Sequence, residues 1–159
     1  MTQAMLDVQP PSQDERTMAM LAHVLQLVGW WIAPIVIFVL KRESRFTSFH
    51  ALQALLLQIV NVIFMILVVV FMLLWFAITF FTFVLHPPAK DAASPAGFFV
   101  LIPLVWLVLV AYWGGMLIIA VVFGIKASRG EWAEYPILGR LARNLLKIGP
   151  GGTFLPTTG

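Results

Sequence analysis

The chain has 159 residues, of which 61% are hydrophobic and only 11% are charged. A water-soluble domain of this length has about 25% charged residues and cannot bury so large an apolar surface, so the composition excludes it and indicates an integral membrane protein. The net charge of +3 does not point to nucleic acid, because basic residues in membrane proteins mark cytoplasmic flanks and contacts with anionic lipid headgroups.

Residues 1–13 are polar and include Pro10-Pro11, which predicts a flexible N-terminal segment without the basic start of a secretory signal. A helix is expected to begin at Asp14-Glu15, because the helix dipole favours acidic residues in the first turn. Residues 14–148 are expected to form one helical transmembrane domain. Residues 149–159, rich in Gly, Thr and Pro, are expected to form a flexible tail.

The apolar segment 17–40 is interrupted by Gly29 and Pro34. It fits one kinked crossing, or two half-length helices that enter and leave the membrane on the same side. Both alternatives stay open at this stage.

Two further apolar runs, 51–85 and 98–125, contain no Asp, Glu, Lys or Arg. Each exceeds the roughly 20 residues that a helix needs to cross the hydrocarbon layer. Residues 46–85 would extend about 60 Å, twice the layer's thickness, so the crossing itself is placed at about 60–85. The predicted fold class is an all-α membrane protein with three transmembrane helices, the first kinked or re-entrant.

Small residues recur at four-residue spacing in the last crossing, at Ala111 and Gly115 and again at Ala120 and Gly124. Such spacings let a second helix approach closely.

The segment 137–148 has the pattern of a short basic amphipathic helix. Such a helix is suited to the surface of an anionic leaflet. The predicted lipid-binding or partner-binding residues are Arg140, Arg143 and Lys147.

Basic residues cluster at 41–45 and again after residue 126, whereas the loop 86–97 holds only Lys90, next to Asp91. The positive-inside rule therefore places 41–45 and the C-terminus in the cytoplasm and 86–97 outside. The expected location is the inner (cytoplasmic) membrane.

A polar stripe crosses the start of the second long helix at His50, Gln53, Gln58 and Asn61. Such a stripe must face protein, water or headgroups. It is either a hydrophilic path or a set of interhelical hydrogen bonds, and the second interpretation is favoured because neutral amides commonly join membrane helices.

The histidines His23, His50 and His86 could ligate haem, a pigment or a metal through a neutral imidazole. None has a neighbouring ligand at helical spacing, so no cofactor and no metal is predicted. If the first segment is re-entrant, His23 approaches the side of the membrane where His50 lies.

Catalytic motifs are not found: the chain has no phosphate-binding glycine loop, no nucleophile elbow and no cysteine. Glu131 and Glu134 lie beside Trp132 and Tyr135, a pattern typical of an aromatic belt at the membrane interface. The chain is predicted not to be an enzyme.

Three short segments resemble a known family. Residues 14–23 look like the opening of the bacterial domain-of-unknown-function family 4870. Residues 45–55 are similar to an F-x-x-x-H-A-x-Q-A-L element shared with Tic-twenty-like proteins, and 130–136 resembles the family's G-x-x-x-x-Y-P. The resemblance implies a small helical membrane protein without known enzymatic activity, whose chloroplast relatives belong to a protein-import machinery.

The leading functional hypothesis is an accessory or structural subunit that packs against other subunits of a larger membrane complex. The alternatives are a transport or translocation component that uses the polar stripe, and a pigment-binding or haem-binding protein that uses the histidines.

Overall fold

The computed structural model describes residues 10–85, 96–149 and 152–153, and side chains from 101 onward in the fourth helix. This part of the chain forms five α-helices: α1 (Gln13–Gly29), α2 (Ile32–Leu40), α3 (Arg45–Leu85), α4 (Ala96–Ser128) and α5 (Leu138–Leu146). The all-α class is confirmed. Of the expected flexible termini, residues 1–9 and 154–159 lie outside the described residues.

The first helix begins with a capping box. The Ser12 hydroxyl accepts a hydrogen bond from the Glu15 backbone N–H, and the Glu15 carboxylate accepts one from the Ser12 N–H at 2.7 Å. Because the first N–H groups of a helix have no partner inside the helix, this exchange fixes the start of α1.

The helices α1 and α2 form a hairpin. The chain turns at Trp30-Trp31, where Trp30 has φ +51°, and Pro34 falls in the first turn of α2, where its missing N–H costs little. The Lys41 ammonium at the end of α2 lies 2.6 Å from the Asp14 carboxylate at the start of α1. The start of α1 and the end of α2 therefore lie next to each other.

Three transmembrane helices are not confirmed. Among the described residues, two helices are long and apolar enough to cross a membrane: Arg45–Leu85, and Leu101–Ser128 within α4. The nine residues of α2 extend only about 14 Å, less than half of the hydrocarbon layer. The turn at the two tryptophans divides the first apolar segment into two helices, neither of which is among these candidate spans.

The chain divides into two compact units. The first, here called the polar-core unit, comprises Met1–Val60 and Leu117–Gly159; the second, here called the apolar unit, comprises Asn61–Met116. In the polar-core unit the helices are packed through small side chains that are fully buried: Ala19, Ala22, Ala51, Ala54, Ala120, Ala127 and Ala142.

The predicted close approach of helices is confirmed at one of the two small-residue spacings. A Cβ atom added to Gly124 would lie 3.3 Å from Val24 Cγ2, so α4 contacts α1 there. At Gly115, no side chain or other element of the described part of the chain lies within 4 Å of the corresponding position.

The apolar unit is formed by the later part of α3 and the earlier part of α4. Its described side chains are mostly apolar and exposed, and Leu67 is 62% exposed. One polar contact among its described residues joins Asn61 and Tyr112, whose hydroxyl donates to Asn61 Oδ1 at 2.9 Å. The Tyr112 ring also stacks on Phe64, with 4.1 Å between the ring centroids.

The last helix, α5, packs against the start of α3. Its Ala142 joins Phe49 and Ile148 in one hydrophobic cluster. Its exposed face combines an apolar stripe with Arg140; the stripe consists of Ile137, Leu141 and Leu145. The amphipathic helix expected at 137–148 is present, and small residues provide its buried side.

Candidate functional site

The most distinctive site is a chain of hydrogen bonds inside the polar-core unit. His23 on α1 and His50 on α3 are fully buried, and His23 Nε2 lies 3.0 Å from His50 Nδ1. The Tyr135 hydroxyl lies 2.8 Å from His23 Nδ1, and His50 Nε2 lies 3.1 Å from the backbone oxygen of Glu131. Three segments that are distant in sequence meet in this chain.

The backbone carbonyl at one end fixes the direction of every bond. A carbonyl only accepts, so His50 Nε2 donates to Glu131, and in a neutral imidazole the other ring nitrogen, Nδ1, is then an acceptor. His23 Nε2 must then donate to His50, which leaves His23 Nδ1 to accept from the Tyr135 hydroxyl. With both imidazoles neutral, each ring nitrogen therefore has a partner of the matching kind.

Burial supports these protonation states. It lowers the pKa of His23 well below its ordinary value, and the neighbouring His50 lowers it further. Burial also raises the pKa of the Tyr135 hydroxyl, which remains a donor.

A second set of bonds holds the segment after α4 against α3. The Gln53 side chain donates to the Ala133 carbonyl at 3.2 Å and accepts from the Tyr135 N–H at 2.8 Å. Trp132 packs edge-on against Phe46, with 5.2 Å between ring centroids. The Gln53 side chain thus supplies hydrogen-bond partners for backbone groups of the segment after α4, which has no regular secondary structure to supply them.

Gln26 lies at the edge of this network. Its side chain is only 1% exposed and lies near the Tyr135 hydroxyl, yet neither its oxygen nor its nitrogen has a hydrogen-bond partner in the described structure. Its backbone oxygen accepts from Gln58 Nε2 at 3.0 Å. Gln26 is the least satisfied polar group of the site.

The four residues of the predicted polar stripe are all buried. His50, Gln53 and Gln58 bond within the polar-core unit, whereas Asn61 bonds to Tyr112 in the apolar unit. Their partners are protein atoms, which is the arrangement expected of interhelical hydrogen bonding. A role for them in transport stays a prediction.

The other predicted site residues are distributed differently. Arg143 forms an ion pair with Glu134, Arg140 is exposed, and Lys147 lines a small cavity near the start of α3. His86 lies outside the described residues.

The prediction that Tyr135 belongs to an aromatic belt at the membrane interface is wrong. Tyr135 is only 4% exposed and belongs to the hydrogen-bond chain. The sequence analysis also missed Gln26, although a glutamine in an apolar helix is a signal of a buried polar contact. The contact between Tyr135 and His23 was missed because these residues lie 112 positions apart.

Among the described residues, no group of three His, Asp or Glu side chains is placed to hold a metal ion. Haem or pigment ligation at His23 or His50 would require one of the hydrogen bonds of the chain to break, because all four ring nitrogens are used.

No curated protein and no solved structure matches the chain. The model of the magnetosome magnetite crystal formation protein family matches residues 14–142. This match corrects the expected membership of domain-of-unknown-function family 4870 and its Tic-twenty-like relatives, which rested on three short motifs. With most of its length covered, the chain belongs to the magnetosome magnetite crystal formation protein family.

Proposed function

We propose that the protein is a non-catalytic membrane subunit that packs against other subunits of a larger assembly, in the membrane where its family forms magnetite crystals. The observation that carries the proposal is the exposure of apolar side chains along the two candidate spans. Leu74 on α3 and Leu107 on α4 are 58% and 66% exposed, and their neighbours are similar. A helix that is apolar on every face requires lipid or other helices around it.

The positions of the two basic segments support the proposal that both lie on the same side of the membrane. Arg42, in the turn before α3, and Arg45, the first residue of α3, line the same cavity as Lys147 at the end of α5. If α3 and α4 cross the membrane, both segments lie on the cytoplasmic face, and the connection between α3 and α4 lies on the opposite face.

The α1–α2 hairpin is proposed to enter the membrane without crossing it. Its tip is apolar and exposed at Val28, Trp30, Trp31 and Ile32, whereas its open end holds the Asp14–Lys41 ion pair. Tryptophan side chains and apolar tips suit the lipid environment, and ion pairs suit the aqueous face.

The amphipathic helix α5 is proposed to lie in the interface. Its exposed stripe of Ile137, Leu141 and Leu145 would contact acyl chains, and Arg140 would contact anionic headgroups. Arg143 contributes less to this contact, since Glu134 already neutralises it.

The hydrogen-bond chain serves the fold of this subunit in our proposal. Its histidines and amides are paired with protein atoms, which supports a structural role more than a transport path or a haem site.

Complementation tests the proposal. In a magnetite-forming bacterium that lacks its own member of the family, the expressed chain should resist carbonate extraction from membranes. It should also restore the crystal size distribution seen by electron microscopy. Release by carbonate would contradict an integral membrane protein. Full membrane retention without any change in crystal size, and without cross-links to other magnetosome membrane proteins, would contradict the accessory role.

A further inference from the structure

Three of the five described helices, α1, α2 and α5, are not candidate spans, and all three belong to the polar-core unit. The apolar part of α1, residues 18–29, extends about 18 Å, and α2 extends about 14 Å. One leaflet supplies about half of the roughly 30 Å of hydrocarbon in a bilayer. The two arms of the hairpin therefore have lengths close to the thickness of one leaflet.

The helix α5 lies at the same end of α3 as the open end of the hairpin. Ala142 of α5 joins Phe49, in the second turn of α3, in one hydrophobic cluster. At the end of the hairpin, the Lys41 backbone oxygen accepts a hydrogen bond from the Ser48 hydroxyl at 3.1 Å. Both elements are thus attached where the candidate span Arg45–Leu85 begins.

Both elements also expose large apolar side chains. Val28 and Trp30 are exposed at the tip of the hairpin, and Ile137 and Leu145 are exposed on α5. Apolar surface of this extent is unfavourable in water and favourable in hydrocarbon. The exposed Arg140 on the same helix fits the headgroup level of a bilayer, so lipid matches this surface in both its apolar and its charged parts.

We propose that the chain prefers strongly curved bilayers, with the polar-core unit inserted in the convex leaflet. The two candidate spans add helices to both leaflets, whereas α1, α2 and α5 add helices mainly to one. Convex curvature separates the headgroups of that leaflet and exposes hydrocarbon between them, which inserted apolar side chains cover. This preference rests on the membrane arrangement proposed above, and it concerns the lipid surface rather than a protein partner.

The test uses the purified full-length chain, reconstituted alone into giant vesicles of dioleoyl phosphatidylcholine with a minor share of phosphatidylglycerol. Because the chain has no cysteine, Glu43→Cys introduces a unique thiol in the exposed turn before α3. An impermeant thiol dye added outside then labels only the molecules whose polar-core unit faces outward. A tube is pulled outward from the vesicle, and the ratio of protein to lipid fluorescence is compared between the tube and the vesicle.

The molecules labelled at position 43 should be enriched in the tube by about twofold or more, because the outer leaflet of the tube is convex. The enrichment should increase as the tube becomes narrower. Molecules of the opposite orientation, labelled through Ser94→Cys in the connection between the two candidate spans, should instead be depleted from the tube. The two orientations therefore give effects of opposite sign in the same bilayer.

A variant of α5 and a matched variant of α4 separate the effect of one-sided insertion from that of apolar surface in general. Leu141→Ser with Leu145→Ser should lose about half of the enrichment, since it removes apolar contacts with the convex leaflet. Both leucines are exposed, so the fold should persist in the circular dichroism spectrum. Leu104→Ser with Leu107→Ser removes two similarly exposed leucines from a candidate span and should leave the enrichment unchanged.

Four outcomes would overturn this preference: equal protein density in tube and vesicle, depletion of the molecules labelled at 43, enrichment of both orientations, or the same enrichment in the two leucine variants. The accessory role is tested separately, since the reconstituted chain has no protein partner. Its failure in complementation leaves the result in tubes intact. Release of the chain from membranes by carbonate would contradict both.

Discussion

The polar-core unit and the apolar unit share one long helix but use it differently. In its first four turns, α3 buries His50, Gln53 and Gln58, each with a hydrogen-bond partner. From Asn61 onward, the same helix exposes valine, leucine and phenylalanine side chains. The comparison indicates that hydrogen bonds between specific side chains define the packing of the polar-core unit. The apolar unit instead depends on contacts between its exposed apolar side chains and the apolar groups around it.

The largest effect is expected from Gln53→Leu. This change leaves the Tyr135 N–H and the Ala133 carbonyl without partners, and each unsatisfied buried group costs about 1–3 kcal/mol. The free energy of unfolding in detergent, measured by circular dichroism, should fall by about 3 kcal/mol. The protein should still insert into membranes.

The matched control for Gln53→Leu lies in the apolar unit. Asn61→Leu removes the hydrogen bond from Tyr112 and should cost only about 1 kcal/mol. If the two variants lose equal stability, the contrast between the units is wrong.

A second expected effect concerns the close contact between α5 and the segment before it. A Cβ atom at Gly139 would lie 2.5 Å from Glu134 Cβ and 3.0 Å from Gln53 Oε1. Gly139→Ala should therefore destabilise the fold by about 2 kcal/mol through overpacking. Gly115→Ala, which meets open space, should be neutral or should stabilise α4 by up to about 1 kcal/mol.

A third, smaller effect is a loss of stability in acid. The pKa of His23 is lowered in the folded state, so below the ordinary value of about 6.5 the unfolded chain binds a proton that the folded chain excludes. The contribution of His23 alone should be fully present above pH 6.5 and should fall by about 1.4 kcal/mol per pH unit below it. Melting curves at pH 7.5 and 5.5 test this.

The control for the acid effect is His23→Gln, which keeps a donor and an acceptor without a titrating ring. Its melting temperature should depend less on pH than that of the wild type. If the melting temperatures of both proteins depend equally on pH, the loss of stability in acid comes from a group other than His23.

The sequence predicted the features that depend on local composition. Charge-free runs located α3 and α4, and the basic amphipathic pattern located α5. Gly29 and Pro34 left the first segment ambiguous, because both residues fit a kink and a turn equally well. The structure resolves this at Trp30, a non-glycine residue with positive φ, which periodicity cannot reveal.

The candidate site was only partly predictable. The helical stripe identified His50 and Gln53, because a polar side chain in an apolar run requires a partner. Tyr135 was predicted to lie in the membrane interface, because an aromatic residue next to acidic residues just after a span is typical of an interfacial aromatic belt. Its contact with His23 joins residues 112 positions apart, and no pattern within one helix reports such a pairing.

The most direct test of the proposed membrane arrangement is the accessibility of single cysteines in intact cells. The chain has no cysteine, so Ser44→Cys, Ser94→Cys and Thr157→Cys each introduce one unique thiol. The account predicts that an impermeant thiol reagent added outside the cytoplasmic membrane labels only the variant at 94, and that all three react after the membrane is permeabilised. Labelling at 44 from outside would contradict the cytoplasmic location of the first basic segment, and different labelling at 44 and 157 would contradict the common side of the two basic segments.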